Sequence, residues 1–231
     1  MALNLLCAGA AKGLVNTLAP RFEAETGATI DGAFGAVGAM REKLVAGAPC
    51  DVVVLTAVLV DTLQREGRVV PQTSAPLGSV HTGIAVRASE PHPDIHDGAA
   101  LANALVAANG IYIPDPQRAT AGIHFVGVLK RLSIHSIVET RLRVHPSGAA
   151  AMQALACSSE RGVIGCTQVS EILYTEGVAL VGALPAGFEL ATVYSAAMSA
   201  TAREPELALR FIELLAGPAS RKMRVAAGFE V

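Results

Sequence analysis

Gly32, Gly35 and Gly38 recur at a spacing of three in GAFGAVGAM, where an apolar run gives way to a helical one. A strand-to-helix turn of this kind offers backbone N–H groups, and with the helix dipole they favour negative charge. The turn matches neither the phosphate loop G-x-x-x-x-G-K-[ST] nor the dinucleotide fingerprint G-x-G-x-x-G. Glycines serving only a tight turn are the alternative reading. Three further turns share the pattern. AGAAKG sets Ala11, Lys12 and Gly13 beside a strand end; RATAGIHF opens a helix with Thr120, Ala121 and Gly122; HPSGAAAM opens another with Ser147 and Gly148. Together with Ala36, Val37 and Gly38, these turns would surround one small anion with N–H donors.

Other residues carry side-chain chemistry. Thr167, Gln168 and Ser170 follow an apolar run in GVIGCTQVSEIL; they read either as polar groups of a site or as the cap of a helix. Tyr194 could lay its hydroxyl into a cleft or simply pack. If the protein is an enzyme, His124 and Lys12 are the candidate catalytic bases. His92, Asp94, His96 and Asp97 have the residue types of a metal site. Their proline-rich stretch PHPDIHD reads instead as a surface loop, because metal ligands need rigid support. No metal and no cofactor is expected. No Ser/His/Asp or Cys/His order supports covalent catalysis. Cys7, Cys50, Cys157 and Cys166 form no C-x-x-C pair and read as buried free thiols of a reducing compartment.

These residues need a scaffold, and the chain supplies an alternation of strands and helices. The spacing predicts strands at LNLLCA, 28–34 and DVVVL, with helices over 12–26, 37–46 and 57–65. The strands are apolar on both faces, as buried parallel strands must be. An extended run, LGSVHTGIAVRA, leads into a second series: helix 97–107, strand GIYIP, helix 120–132, strand RLRV, helix 148–157, strand GVIGC, a helix near 168–173 and strand VALVG. A second extended run, FELATVYSAAMSA, precedes helices at 204–215 and 218–227. The expected architecture is α/β with mostly parallel sheets: a lobe of 1–80 plus 196–231, and an inserted lobe of 81–195. Two crossings make a hinge, and a cleft between the lobes is where a ligand would be closed upon.

Composition sets the outer bounds. Of 231 residues 52% are hydrophobic and 16% charged, and the net charge of −2 gives no electrostatic case for nucleic acid or an anionic membrane. No apolar run is long enough to span a bilayer. The opening MALNLLCAGA lacks a basic leader, which reads as cytoplasmic, or periplasmic if a leader is removed from a longer precursor.

Five blocks, APRFEAETG, LVAGAPCDVVVL, IPDPQRATAGIHF, RGVIGCTQVSEIL and FIELLAGPASRKMRVAAGFE, resemble in order the molybdate-binding proteins of ABC transporters, which have the type 2 periplasmic solute-binding fold. The resemblance spans almost the whole chain. It implies two α/β lobes joined by two crossing strands, an oxyanion held between them, and an ABC-transporter permease as partner. It carries binding roles onto the N–H groups around Ala11–Gly13 and Ala36–Gly38, onto Ala121 and onto Tyr194. Members of that family place hydroxyls in the turns after the first and second strands. Here AGAAKG and FGAVGAM have none, and each lost donor costs an oxyanion about 1–3 kcal/mol. That favours an organic carboxylate over molybdate. A branch similar in GCTQVSEIL and VGALPAGFELATVYSA includes aconitate isomerase, which implies moving a double bond with His124 or Lys12 as base. Three readings follow: a solute-binding protein serving a transporter, a tricarboxylate isomerase, and a cytoplasmic ligand sensor.

Overall fold

Leu3, Leu5, Leu6 and Cys7 are almost wholly buried in β1 (Ala2–Ala8), the strand from which one half of the molecule is built. The computed structural model describes all 231 residues. A 3₁₀ turn, Gly9–Ala11, leads into α1 (Lys12–Thr26). Leu14, Leu18 and Phe22 recur at helical spacing on its buried face, and the helix continues through Pro20. It stops at Gly27, whose φ of 73° is left-handed and whose N–H donates to the Glu23 carbonyl. β2 (Thr29–Gly35), α2 (Val37–Val45), β3 (Val52–Thr56) and α3 (Ala57–Arg65) repeat the unit.

β4 (Ala75–Arg87) then carries the chain into α4 (Gly98–Ala107), β5 (Gly110–Pro114), α5 (Thr120–Arg131), α6 (His135–Val138), β6 (Leu142–His145), α7 (Gly148–Cys157), β7 (Val163–Gln168), α8 (Val169–Tyr174) and β8 (Val178–Ala183). β9 (Ala191–Met198) returns it to α9 (Pro205–Ala216) and α10 (Arg221–Ala226). The chain divides into two units, Met1–Val80 with Thr192–Val231, and His81–Ala191.

In the first unit β1 lies between β2 and β3, parallel to both, and β9 joins β3 antiparallel with Thr56 opposite Tyr194. In the second, β5 lies between β6 and β7, parallel to both, and β4 runs antiparallel to β7 and to β8. Each unit buries its own core. Leu6, Met40, Val53 and Leu63 pack in the first. Ile84, Leu101, Ile111 and Phe125 pack on one side of the second unit's sheet, and Ala85, Met152 and Ile172 on the other.

Three expectations are corrected. The helical turns over His135–Arg141 have no counterpart in the sequence reading, because one turn is too short to show a period. The closing helix is split, since Pro218 opens a 3₁₀ turn (Pro218–Ser220) before α10 begins. Burial on both faces holds for β1, β3 and β7 but not for β2 and β6, which have no neighbour on their outer side.

Candidate functional site

The register of the first unit gathers several sequence-selected residues at one end of its sheet. Ala8 lies opposite Gly35, and Thr56 opposite Tyr194, so the strand ends and the helix starts that follow them are neighbours. α1 and α2 begin at the N-caps Ala11 and Ala36, and neither has a side-chain cap. Their first N–H groups therefore find no acceptor on the capping residue, unlike those of a helix begun by Ser, Thr, Asp or Asn. Ala11 is fully buried and Lys12 half-buried, at the junction of the 3₁₀ turn and α1.

The glycines of the opening turn work by absence of bulk. None of Gly32, Gly35 and Gly38 has a positive φ. A Cβ on Gly32 would lie 2.7 Å from the Phe34 ring, and one on Gly35 would meet the Met40 methyl at 3.0 Å. The Phe34 ring thus folds over bare backbone, and Lys12 Nζ lies 5.7 Å from its centroid, a cation–π distance. Sequence reasoning found Lys12 but missed Phe34; the i, i+2 pairing of glycine and aromatic in GAF was the available signal. Thr56, which ends β3 and begins α3, was missed as well. Tyr194 is buried, with its ring edge-on to Phe229 at 6.3 Å.

In the second unit the loop after β5 is wound by Asp115. Its Oδ1 accepts from the N–H groups of Gln117 at 2.7 Å and Arg118 at 3.2 Å, and its carbonyl accepts from Ala119 N–H at 3.0 Å. Ala119 is the N-cap of α5 and provides no side-chain cap, so Thr120, Ala121 and Gly122 present another start at an alanine N-cap. A Cβ on Gly122 would collide with the carbonyl oxygens of Pro114 and Asp115, so this glycine lets α5 sit close against the strand end. His124 is half-buried and its Nε2–H donates to the Phe188 carbonyl at 2.8 Å. Arg131 also holds this loop, donating to the Gly187 carbonyl and stacking 4.6 Å from the Phe188 ring. The imidazole is a tie between α5 and the segment before β9.

Ser147, Gly148 and Thr167 are brought together, but around a residue that sequence reasoning missed. Thr167 Oγ1 donates to Glu171 Oε2 at 2.5 Å, and Ala149 N–H donates to Oε1 at 3.2 Å. Ser147 Oγ accepts from Ala150 N–H at 3.2 Å and so caps its own helix. Burial pushes the Glu171 carboxyl above the usual carboxylate range, against the pull of hydrogen bonds from Thr167, Ala149 and Gln168. Gln168 is buried opposite Thr82 of β4. A Thr four residues before a Glu, across a strand-to-helix turn, was the signal for this pair.

The PHPDIHD loop spends its polar groups on itself. His96 Nδ1 lies 2.8 Å from Asp94, while Asp97 accepts from Ala100 N–H at 2.8 Å and caps α4. All four cysteines are free thiols; Cys7, Cys50 and Cys166 are buried, whereas Cys157 is exposed, which corrects that part of the thiol reading. Burial without a nearby cation pushes the Cys50 thiol up to about 12, which removes it as a nucleophile. No helix is long and apolar enough to cross a membrane.

Comparison with known proteins agrees with this architecture. The model of the family described as "Bacterial extracellular solute-binding protein" matches residues 3–230. Aconitate isomerase of Pseudomonas sp is 27% identical over 226 residues, covering 95% of this chain and 84% of that protein. The periplasmic molybdate-binding protein of Azotobacter vinelandii superposes with a TM-score of 0.82 at 21% identity, over 99% of both chains. The sulfate-binding protein SubI of Mycobacterium tuberculosis H37Rv superposes with a TM-score of 0.74 at 19% identity, over 99% of this chain and 86% of its own. The fold is that of the two-lobed periplasmic binding proteins.

Proposed function

The chain belongs to the bacterial extracellular solute-binding protein family, and from that premise we propose that it binds a small organic carboxylate and delivers it to an ABC-transporter permease. One observation supports the ligand class: α1, α2 and α5 begin at alanine N-caps, which have no side chain that could accept, while α4 and α7 are capped by Asp97 and Ser147 and α3, α8 and α9 start at polar residues whose side chains make no cap. Uncapped starts leave N–H groups and the positive end of the dipole for an external anion. In the first unit the proposed donors are the N–H groups around Ala11–Gly13 and Ala36–Gly38, with Tyr194 at the β9 end; in the second they are those of Thr120–Gly122. Lys12 supplies a cationic side chain, which a carboxylate uses well. The turns after β1 and β2 hold no hydroxyl that would complete the donor shell of a tetrahedral oxyanion.

The relative named aconitate isomerase supports a second reading, in which the bound carboxylate is also turned over. Isomerisation needs a base beside the carbon that loses its proton. His124 Nε2 is already committed to the Phe188 carbonyl, and Lys12 serves as base only as its neutral amine, not as the ammonium that grips the carboxylate, so turnover and the cationic grip are separate roles for that side chain.

A thermal-shift series with molybdate, tungstate, sulfate, phosphate, citrate, cis- and trans-aconitate and short dicarboxylates tests both readings. A ligand at 100 times its Kd stabilises by about 2.7 kcal/mol. A shift with a carboxylate, followed by an assay for its isomer, separates binding from turnover. A shift confined to molybdate or tungstate overturns the carboxylate reading.

A further inference from the structure

α7 begins differently from α1, α2 and α5, because its first turn already holds a carboxyl group and that group belongs to the chain. Glu171, on α8, places Oε1 3.2 Å from the N–H of Ala149 and Oε2 2.5 Å from the Thr167 hydroxyl at the end of β7. Three elements thus meet on one side chain. A Cβ on Gly148 would overlap both Oε2 and Thr167 Oγ1, so the missing side chain at 148 is the space the carboxyl occupies. Ser170, next to Glu171 in the chain, is buried, and its Oγ has no hydrogen-bond partner.

An apolar side chain of similar volume would fill this space without the cost of burying an ionisable group. The carboxyl is retained where the backbone offers it donors, and it makes the contacts a bound carboxylate would make. We infer that Glu171 is a built-in carboxyl ligand of the α7 turn, filling a pocket that in its absence takes the carboxylate of a small external molecule. The consequence for the solute, that the second unit offers it α5 and not α7, rests on the anion-binding reading above. The pocket beneath Gly148 does not.

Replacing the side chain and returning its carboxyl from solution tests the pocket directly. Glu171→Ala should melt several degrees below the native protein. Sodium formate should restore the loss saturably, and acetate less well. Sodium chloride at matched ionic strength should not, and in the native protein and Glu171→Gln formate should stabilise clearly less, because there it acts only at the proposed solute site. Gly148→Ala should destabilise the native chain and add little in the Glu171→Ala background, where it should also abolish the excess response to formate. Equal formate responses in the native protein and Glu171→Ala, or additive losses for the two substitutions, would overturn the inference. Should Glu171→Ala fail to fold, the native chain labelled with ¹³C at the glutamate carboxyl carbon provides a second measurement. One resonance, absent from Glu171→Gln, should titrate apart from the rest. If it follows the exposed glutamates, Glu171 is not enclosed and the inference fails. Because the rescue is read as the excess of the Glu171→Ala response over the native one, in which formate at the solute site counts equally, a failed rescue with an intact carboxylate shift overturns the built-in ligand and leaves the proposed function standing. The reverse pair of results does the opposite.

Discussion

Lys12 is one residue from a fully buried alanine and stands over an aromatic ring, and both neighbours limit where its ammonium can go. A long side chain ordinarily loses conformational freedom when it grips a ligand. Here Phe34 restrains it in advance, and Gly32 makes room for Phe34. Lys12→Gln should therefore weaken carboxylate binding by about ten- to a hundredfold, the range of a lost charge-assisted hydrogen bond of about 1.5–3 kcal/mol. Phe34→Leu keeps the charge and removes the platform, so a smaller loss, closer to threefold, is expected. Titration calorimetry on both variants checks the order. A Phe34→Leu loss equal to that of Lys12→Gln would mean that the ring shapes the site by packing and not through the lysine.

Helix starts carry the proposed function at the next scale, and the contrast among them yields a test. An Ala119→Asp substitution gives α5 the cap it lacks, satisfying its own N–H groups and placing a negative charge where the solute would lie. The free protein should gain about 0.5–2 kcal/mol from the cap, while carboxylate affinity falls at least tenfold. Thermal melting and calorimetry on one preparation measure both. Unchanged affinity would remove α5 from the site. Most of these elements were legible in the sequence, because buried strands such as DVVVL and amphipathic helices such as 12–26 show their period over many residues. Small residues at helix starts were legible too, but the sequence reading grouped the Ser147 turn with the others, and only the structure separates that capped start from the alanine ones. Phe188 was not, and Glu171 showed only as a Glu four residues after a Thr. Each acts on a residue far along the chain or across a turn, Phe188 through its backbone carbonyl to His124, and periodicity says nothing of such contacts. A one-turn helix such as α6 is invisible for the same reason.

At the scale of the whole chain, the first unit is assembled from two stretches separated by 111 residues of the second, His81–Ala191. Something must hold β1, β3 and the entry to α9 together, and Asp51 does so at a single buried carboxylate. Its Oδ2 accepts from Asn4 N–H at 2.7 Å and Asn4 Nδ2 at 2.9 Å, while Oδ1 accepts from Arg203 N–H at 2.6 Å and Glu204 N–H at 3.3 Å. Burial alone would raise its pKa. The hydrogen bonds from Asn4, Arg203 and Glu204 outweigh that and hold it below the usual carboxylate value. A carboxyl lowered by folding stabilises the protein above its unfolded pKa, and that contribution is lost as pH falls through the folded value. Asp51→Asn turns two amide protons toward N–H donors and leaves them unmet, at about 1–3 kcal/mol for each orphaned group. At neutral pH the variant should melt several degrees lower, at roughly 2–4 °C per kcal/mol for a chain of this size. The gap should close as pH falls from the ordinary carboxylate range to below the folded value, because protonation takes the same bonds from the native protein. Melting curves of both proteins from neutral pH down through the acid range, as far as the fold survives, measure it. A gap that stays constant across that range would show that packing around residue 51, and not its charge, joins the two stretches.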